Sequence, residues 1–169
     1  INIETMEAAE EAYDLASNES KTRSVIVEHY YQGSDHRVLV INGKVIAVSE
    51  RIPAHVIGDG QSTIEQLVAI TNLDPNRGDG HDNVLTKITI DKTVLDVLRR
   101  QNYTLDTIIG KGEIAYLRAT ANLSTGGSAI DRTDDIHPEN VWIAQRVAKT
   151  INLDIAGIDK VTPEISKPL

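Results

Sequence analysis

Residues 38–48 read Val38-Leu39-Val40-Ile41-Asn42-Gly43-Lys44-Val45-Ile46-Ala47-Val48, two apolar runs separated by Asn-Gly. A two-residue Asn-Gly connection favours a type I′ turn. Its two central residues tolerate positive φ, and its twist matches that of paired antiparallel strands. The stretch therefore predicts a β-hairpin, and it decides the fold class, because the sheet built on it is antiparallel where it starts.

Toward the N-terminus, Ser24-Val25-Ile26-Val27-Glu28 predicts a buried strand with a carboxylate at its end. Before it, Thr5 is a candidate N-cap for a helix reaching about Ser17, with Glu7, Glu10 and Glu11 near its positive end. Ala9, Ala12, Leu15 and Ala16 share one face of that helix.

Toward the C-terminus, Pro53 and Gly58-Asp59-Gly60 end the hairpin segment, and Ser62 with Glu65 reads as the capping box of a helix through Leu67 and Val68. Residues 71–83 form a polar loop of a length that is usually functional or mobile. Asp91 caps the next helix, whose apolar side is Val94, Leu95, Val97 and Leu98. A strand at Ile114 to Leu117 and a small-residue loop from Asn122 to Gly127 follow. Pro138 suits the first turn of a further helix with Val141, Ala144, Val147, Ala148 and Ile151 inward. Asp154 to Asp159 reads as a short last strand ending in a carboxylate. Hairpin-linked strands with interspersed helices predict an α+β fold, a mainly antiparallel sheet with packed helices.

Composition narrows the function. The chain has 169 residues, a net charge of −8, one Trp, no Phe and no Cys. The core is therefore mostly aliphatic. Disulfides, thiolate catalysis and Cys-ligated zinc are excluded. A surface this acidic repels phosphate backbones, so no nucleic-acid partner is expected. The apolar runs are far below membrane-spanning length and no signal peptide is visible, so a cytoplasmic protein without a membrane partner is expected. Ile1-Asn2-Ile3 reads as the end of a strand or loop, and Ser166-Lys167-Pro168-Leu169 stops just after a motif expected to continue, so both ends read as cut.

Four places carry candidate chemistry. Glu28, followed by His29-Tyr30-Tyr31 and Gly33-Ser34-Asp35-His36-Arg37, puts a strand edge and a carboxylate where a heterocycle and ribose can bond, or is simply a solvated strand end. Arg37 and Arg118 offer planar forks for phosphate or carboxylate, or form ordinary salt bridges. Asn122-Leu123-Ser124-Thr125-Gly126-Gly127 brings backbone amides near a ligand if its glycines permit close approach. Asp159 is a hard oxygen ligand suited to Mg²⁺, but one carboxylate is not a site. His29, His36, His55, His81 and His137 lack metal-ligand spacing and read as loop or surface residues.

In this order the pieces resemble the ATP-grasp fold. Val25-Ile26-Val27-Glu28 looks like the hinge between its lobes, where adenine binds main-chain groups, and Gly33-Ser34-Asp35 resembles the element whose carboxylate contacts ribose. Arg118 with Asn122-Leu123-x-x-Gly126-Gly127 is similar to an element near the acceptor and the transferred phosphate, and Gly157-Ile158-Asp159 to the strand bearing the first Mg²⁺ carboxylate. Longer stretches resemble the cyanophycin synthetase family: Arg51 to Gly60, Arg77 to Thr86, Leu117 to Gly127 and Ala129 to Thr133.

The resemblance implies ATP and Mg²⁺ as cofactors. It implies catalytic roles for Arg37 and Arg118, nucleotide contacts at Glu28, His29, Tyr31, Asp35, Asn122, Gly126 and Gly127, and a metal contact at Asp159. The implied reaction extends the aspartate backbone of a cyanophycin chain end through an acyl phosphate, with aspartate as the amine. The implied partners are that chain end, aspartate and the remaining domains of a homo-oligomeric parent. By the same resemblance, 1–169 is a fragment of one ATP-grasp domain, lacking an upstream Lys and glycine-rich phosphate loop and the downstream Glu-x-Asn ligands. Lys160 departs from the pattern, standing where such a strand usually continues with an apolar residue. The rival readings are the ATP-grasp region of a bifunctional glutathione-synthesising ligase, and a non-catalytic binding or assembly module.

Overall fold

The computed structural model describes residues 3–79 and 83–168, which form two units, Ile1–Gln32 and Gly33–Leu169. Ile1, Asn2, Leu169 and the Gly80-His81-Asp82 stretch of the polar loop lie outside the described residues, and so do the readings made of them above.

In the first unit, α1 spans Met6–Glu19, and the Thr5 hydroxyl accepts from the Ala8 amide at 3.2 Å, as the N-cap reading expects. Ala9, Ala12 and Ala16 are half-buried on one face, whereas Leu15 is exposed. The buried strand expected at Ser24 to Glu28 does not form among the described residues: Ile26 is 82% and Val27 90% exposed. β-Branched side chains favour extended backbone, but a strand also needs a neighbour for its N–H and C=O groups. No described residue supplies one.

The second unit is built on the hairpin. Ser34–Ile41 (β1) and Lys44–Ile52 (β2) pair antiparallel through Ile41↔Lys44, and Asn42 (φ 48°) and Gly43 (φ 72°) both take the positive φ of a type I′ turn. Ser128–Asp131 (β7) and Ile155–Thr162 (β8) complete a four-stranded sheet of order β7-β2-β1-β8, antiparallel throughout. The register shifts between Leu39 and Val40, whose partners are Ala47 and Val45, so Ile46 is the extra residue of a bulge in β2.

The period-two alternation of β1 sends His36, Val38 and Val40 to one face, which a helix, Pro138–Thr150 (α4), covers. Val38, Val40, Val48, Ala144, Ala148, Ala156 and Ile165 make that core. His36 is 2% exposed there, so the reading of it as a loop or surface residue is corrected; strand alternation buries it. α4 starts on Pro138 as expected, but Val147 and Ile151 are exposed. The buried stripe runs instead through Asn140, Ala144 and Ala148, each one turn from the next. Asn140 donates from Nδ2 to the carbonyls of Ile165 and Lys167, both at 2.8 Å, tying the chain after β8 to the helix.

A second core lies beneath His55–Ile57 (β3) and Ile114–Tyr116 (β6), which pair antiparallel, and two helices, Ile64–Thr71 (α2) and Lys92–Arg100 (α3). The capping box of α2 sits one residue beyond the expected Ser62 and Glu65: Thr63 accepts from Gln66 N, and the Gln66 side chain accepts from Thr63 N. Ser62 is taken by Asp59, whose carboxylate accepts both its amide and its hydroxyl at 2.7 Å. Asp91 caps α3 as read. The polar loop contains Arg77–Gly78 (β4), which pairs parallel with Leu85–Thr86 (β5). No helix among the described residues is long and apolar enough to cross a membrane.

Candidate functional site

The face of the four-stranded sheet turned away from α4 concentrates charge. β1 presents Asp35 and Arg37 there, its register sets Asp35 opposite Arg51 of β2, and on its other side Arg37 stands opposite Asp159 of β8. Arg37 grips Asp159 two-handed, Nε to Oδ1 at 2.9 Å and the terminal nitrogen to Oδ2 at 3.0 Å. Arg51 grips Asp35 at 2.7 and 2.9 Å from one nitrogen and 3.2 Å from Nε. The same Arg51 nitrogen reaches Asp159 Oδ1 at 3.2 Å. Arg37, Asp159, Arg51 and Asp35 thus form one continuous network across three strands. Its inner arginine, Arg51, keeps 14% of its side chain exposed, against 49% for Arg37.

The hydrogen bonds from Arg37 hold the Asp159 carboxyl below its ordinary range; burial opposes the shift, and Arg51 adds to it. The same contact raises the Arg37 pKa. Asp159 therefore stays ionised. It lies within β8 rather than at the end of a short strand as expected, because the ladder with β1 runs on through Ser34↔Thr162. Lys160 points to the opposite face, where burial lowers its pKa against the pull of Glu139.

Arg118 does not join this network. Its guanidinium binds Asp91 two-handed, at 3.0 and 2.7 Å, while its buried Nε has no partner among the described residues. The Asn122-to-Gly127 loop is a 3₁₀ turn at Leu123–Thr125, and its amides face inward: those of Thr125 and Gly127 donate to Asn122 O, and that of Gly126 to Leu123 O. Three amides expected near a ligand therefore close the loop instead. Its glycines serve packing. Gly126 has φ 94°, and a Cβ on Gly127 would lie 2.7 Å from Asn122 O and 2.8 Å from Ile52 O.

Two residues of this region were not singled out by sequence reasoning. Arg51 is one. Arg77, on β4, is the other: one of its nitrogens donates to Thr86 O at 2.8 Å and to Gly126 O at 2.9 Å, pinning the glycine loop. Burial lowers its pKa. Glu28, His29 and Tyr31 belong to the first unit, where they are exposed and the His29 and Tyr31 rings pack 4.8 Å apart at a 58° tilt.

The donor set has clear chemical limits. Among the described residues no three His, Cys, Asp or Glu side chains stand together as a metal cage, and Asp159 is already bonded by two guanidiniums. A hard divalent cation takes six or more oxygen ligands, so these residues do not fit a metal by themselves. Two guanidinium forks side by side do suit oxyanions such as phosphate or carboxylate.

No family model matches the chain. Comparison with individual proteins is decisive. Over all 169 residues it is 72% identical to the cyanophycin synthetase of Geminocystis herdmanii. The chain matches cyanophycin synthetase along its whole length. It spans 19% of that synthetase's length. A glutathione biosynthesis bifunctional protein of Mannheimia succiniciproducens is 38% identical over 157 residues, 93% of this chain and 20% of that protein. The crystal structure of a bifunctional glutathione synthetase from Pasteurella multocida superposes with a TM-score of 0.72 at 35% identity, covering 82% of this chain and 19% of that one. The α+β, partial ATP-grasp expectation is thereby borne out, and the likeness to cyanophycin synthetase exceeds that to the glutathione enzymes.

Proposed function

We propose that this chain is a segment of an ATP-dependent carboxylate–amine ligase that extends the aspartate backbone of cyanophycin. The observation that carries the reading is identity of 72% to a cyanophycin synthetase over the whole chain, against 38% to a glutathione-synthesising protein. The 19% share of the relative's length fits a segment of one ATP-grasp domain, with the rest of the site contributed by other residues of a longer protein.

A carboxylate is a poor electrophile. ATP, when bound, supplies the phosphoryl group that turns the chain-end carboxylate into an acyl phosphate. The aspartate amine then attacks the carbonyl carbon, an amide bond forms, and phosphate leaves. Negative charge gathers on oxygen during phosphoryl transfer, and preorganised cations lower the barrier by meeting it. Arg37 is suited to that task because it is half exposed on the charged sheet face and held by one carboxylate. Asp35 is assigned to ribose, and Glu28, His29 and Tyr31 to the adenine end, on the resemblance. Asn122, Gly126 and Gly127 are assigned on the resemblance to the nucleotide, near its transferred phosphate, with Arg77 rigidifying their loop. Arg118 acts there through Asp91 and the packing of α3 unless its ion pair opens. Mg²⁺ and Asp159 are proposed to meet only where further oxygen donors join.

The test is ATP-dependent phosphate release in the complete synthetase carrying this segment, with an aspartate primer and free aspartate. Arg37→Ala is expected to lower turnover by about 100-fold, the scale of removing one charge-stabilising donor. Unchanged turnover in that variant would remove Arg37 from the chemistry.

A further inference from the structure

We propose that Arg51 is a positioning residue, fixing Asp35 directly and Arg37 through Asp159. The functional side of this rests on the ligase reading above; the positioning itself does not.

Three observations carry it. Arg51 makes three contacts to Asp35 at or below 3.2 Å and a fourth to Asp159, so one guanidinium spans both carboxylates. It is the less exposed of the two arginines, 14% against 49%, and an ion pair shielded from water is held more firmly than an open one. The contacts also run in series. Asp159 Oδ1 receives Arg51 on one side and Arg37 Nε on the other, so the carboxylate that orients Arg37 is itself oriented by Arg51.

A division of labour follows. Arg37, exposed and bonded to a single residue, can turn toward an incoming oxyanion. Arg51 stays, keeping Asp159 and Asp35 on adjacent strands aimed across the charged face when Arg37 leaves. Lysine is a poorer replacement: a single ammonium cannot grip Asp35 from two nitrogens while also meeting Asp159.

The decisive experiment is NMR of the ¹⁵N-labelled chain, reading solvent exchange at Arg37 Nε–H, a signal assigned by its loss in Arg37→Lys. Asp159→Ala, which removes the acceptor oxygens, sets the value for an unheld Arg37. In Arg51→Gln and Arg51→Lys, with folding checked from the β1 and β2 amide shifts, exchange at Arg37 Nε–H is expected to rise about tenfold toward that value. Exchange unchanged within about twofold in either folded variant overturns the proposal. In the complete synthetase, Arg51→Lys is expected to lower kcat/KM for ATP about tenfold, the scale of an outer-shell partner. A normal kcat/KM there, while Arg37→Ala and Asp159→Ala are impaired, also overturns it. If Arg37→Ala and Asp159→Ala themselves are unimpaired, the ligase reading of this face fails, and the exchange measurement alone decides the role of Arg51.

Discussion

Asp91 serves Arg118 and the α3 backbone with the same carboxylate: its oxygens take both guanidinium nitrogens, and Oδ1 also accepts the Val94 amide at 3.0 Å. Removing it undoes a helix cap, worth about 1 kcal/mol, and leaves a mostly buried guanidinium unpaired, worth about 1–3 kcal/mol more. Asp91→Ala is therefore expected to destabilise the chain by about 2–4 kcal/mol in urea unfolding. The double variant with Arg118→Ala should cost less than the two single losses added together. Strict additivity would mean the pair is not coupled.

Two glycines separate backbone strain from steric exclusion. Gly43 has φ 72° with open space where a Cβ would stand, so Gly43→Ala meets strain alone; the expected cost is about 1–2 kcal/mol. Gly127 has no room, with carbonyl oxygens at 2.7 and 2.8 Å. Gly127→Ala must move β2 or the loop and should cost more than Gly43→Ala by thermal denaturation. The reverse order would show that the loop yields freely.

Asp59 accepts two backbone amides, those of Gln61 and Ser62, and the Ser62 hydroxyl. The Ser62 amide and hydroxyl, with the Gln61 amide, lower its pKa from 3.8 to about 2. Because the folded value is the lower one, ionised Asp59 stabilises the fold above about pH 4, and that contribution disappears as pH falls toward 2. A carboxyl ¹³C titration should place the Asp59 midpoint near 2. A midpoint at the ordinary aspartate value would mean the turn is open in solution.

Asn140 is 1% exposed and holds the carbonyls of Ile165 and Lys167. Asn140→Ala is expected to cost about 2 kcal/mol, the penalty for stranding buried acceptors. Amide exchange should quicken selectively at His137, which donates to the same Ile165 carbonyl at 3.0 Å. Exchange that rises evenly over all of α4 would instead indicate loss of the helix.

Local chemistry was legible where one residue type forces one geometry. Asn42-Gly43 favoured a type I′ turn, Pro138 suited the first turn of a helix, and Asp91 lay just ahead of an apolar stripe. Competition between neighbours was not legible. Asp59 claims Ser62 and hands the cap of α2 to Thr63, a choice invisible to a three-residue spacing rule. The site was half legible: Arg37, Asp35 and Asp159 were each chosen, and the structure brings them together, but Arg51 was not. Counting outward from Ile41↔Lys44 sets position 35 opposite Glu50, and only the bulge at Ile46 advances the partner to Arg51. A register shift of one residue exchanges the sheet face, so the missing arginine was hidden by a backbone irregularity rather than by its chemistry. The strand expected at Ser24 to Glu28 needed a neighbour that no apolar run can announce.

The network on the charged face sums to zero, two guanidiniums against two carboxylates, within a chain of net charge −8. An approaching oxyanion is therefore repelled by the molecule at a distance yet meets a neutral patch on arrival. Dissolved salt acts on these two regimes unequally. It screens interactions beyond about 8 Å at physiological ionic strength, and leaves contacts at hydrogen-bonding range nearly untouched. For the oxyanion proposed above, encounter at this face should quicken as salt is added, while residence, which that proposal assigns to the arginines, should change little. An acidic protein with a balanced site is in this way kinetically buffered against low ionic strength on the departure step alone.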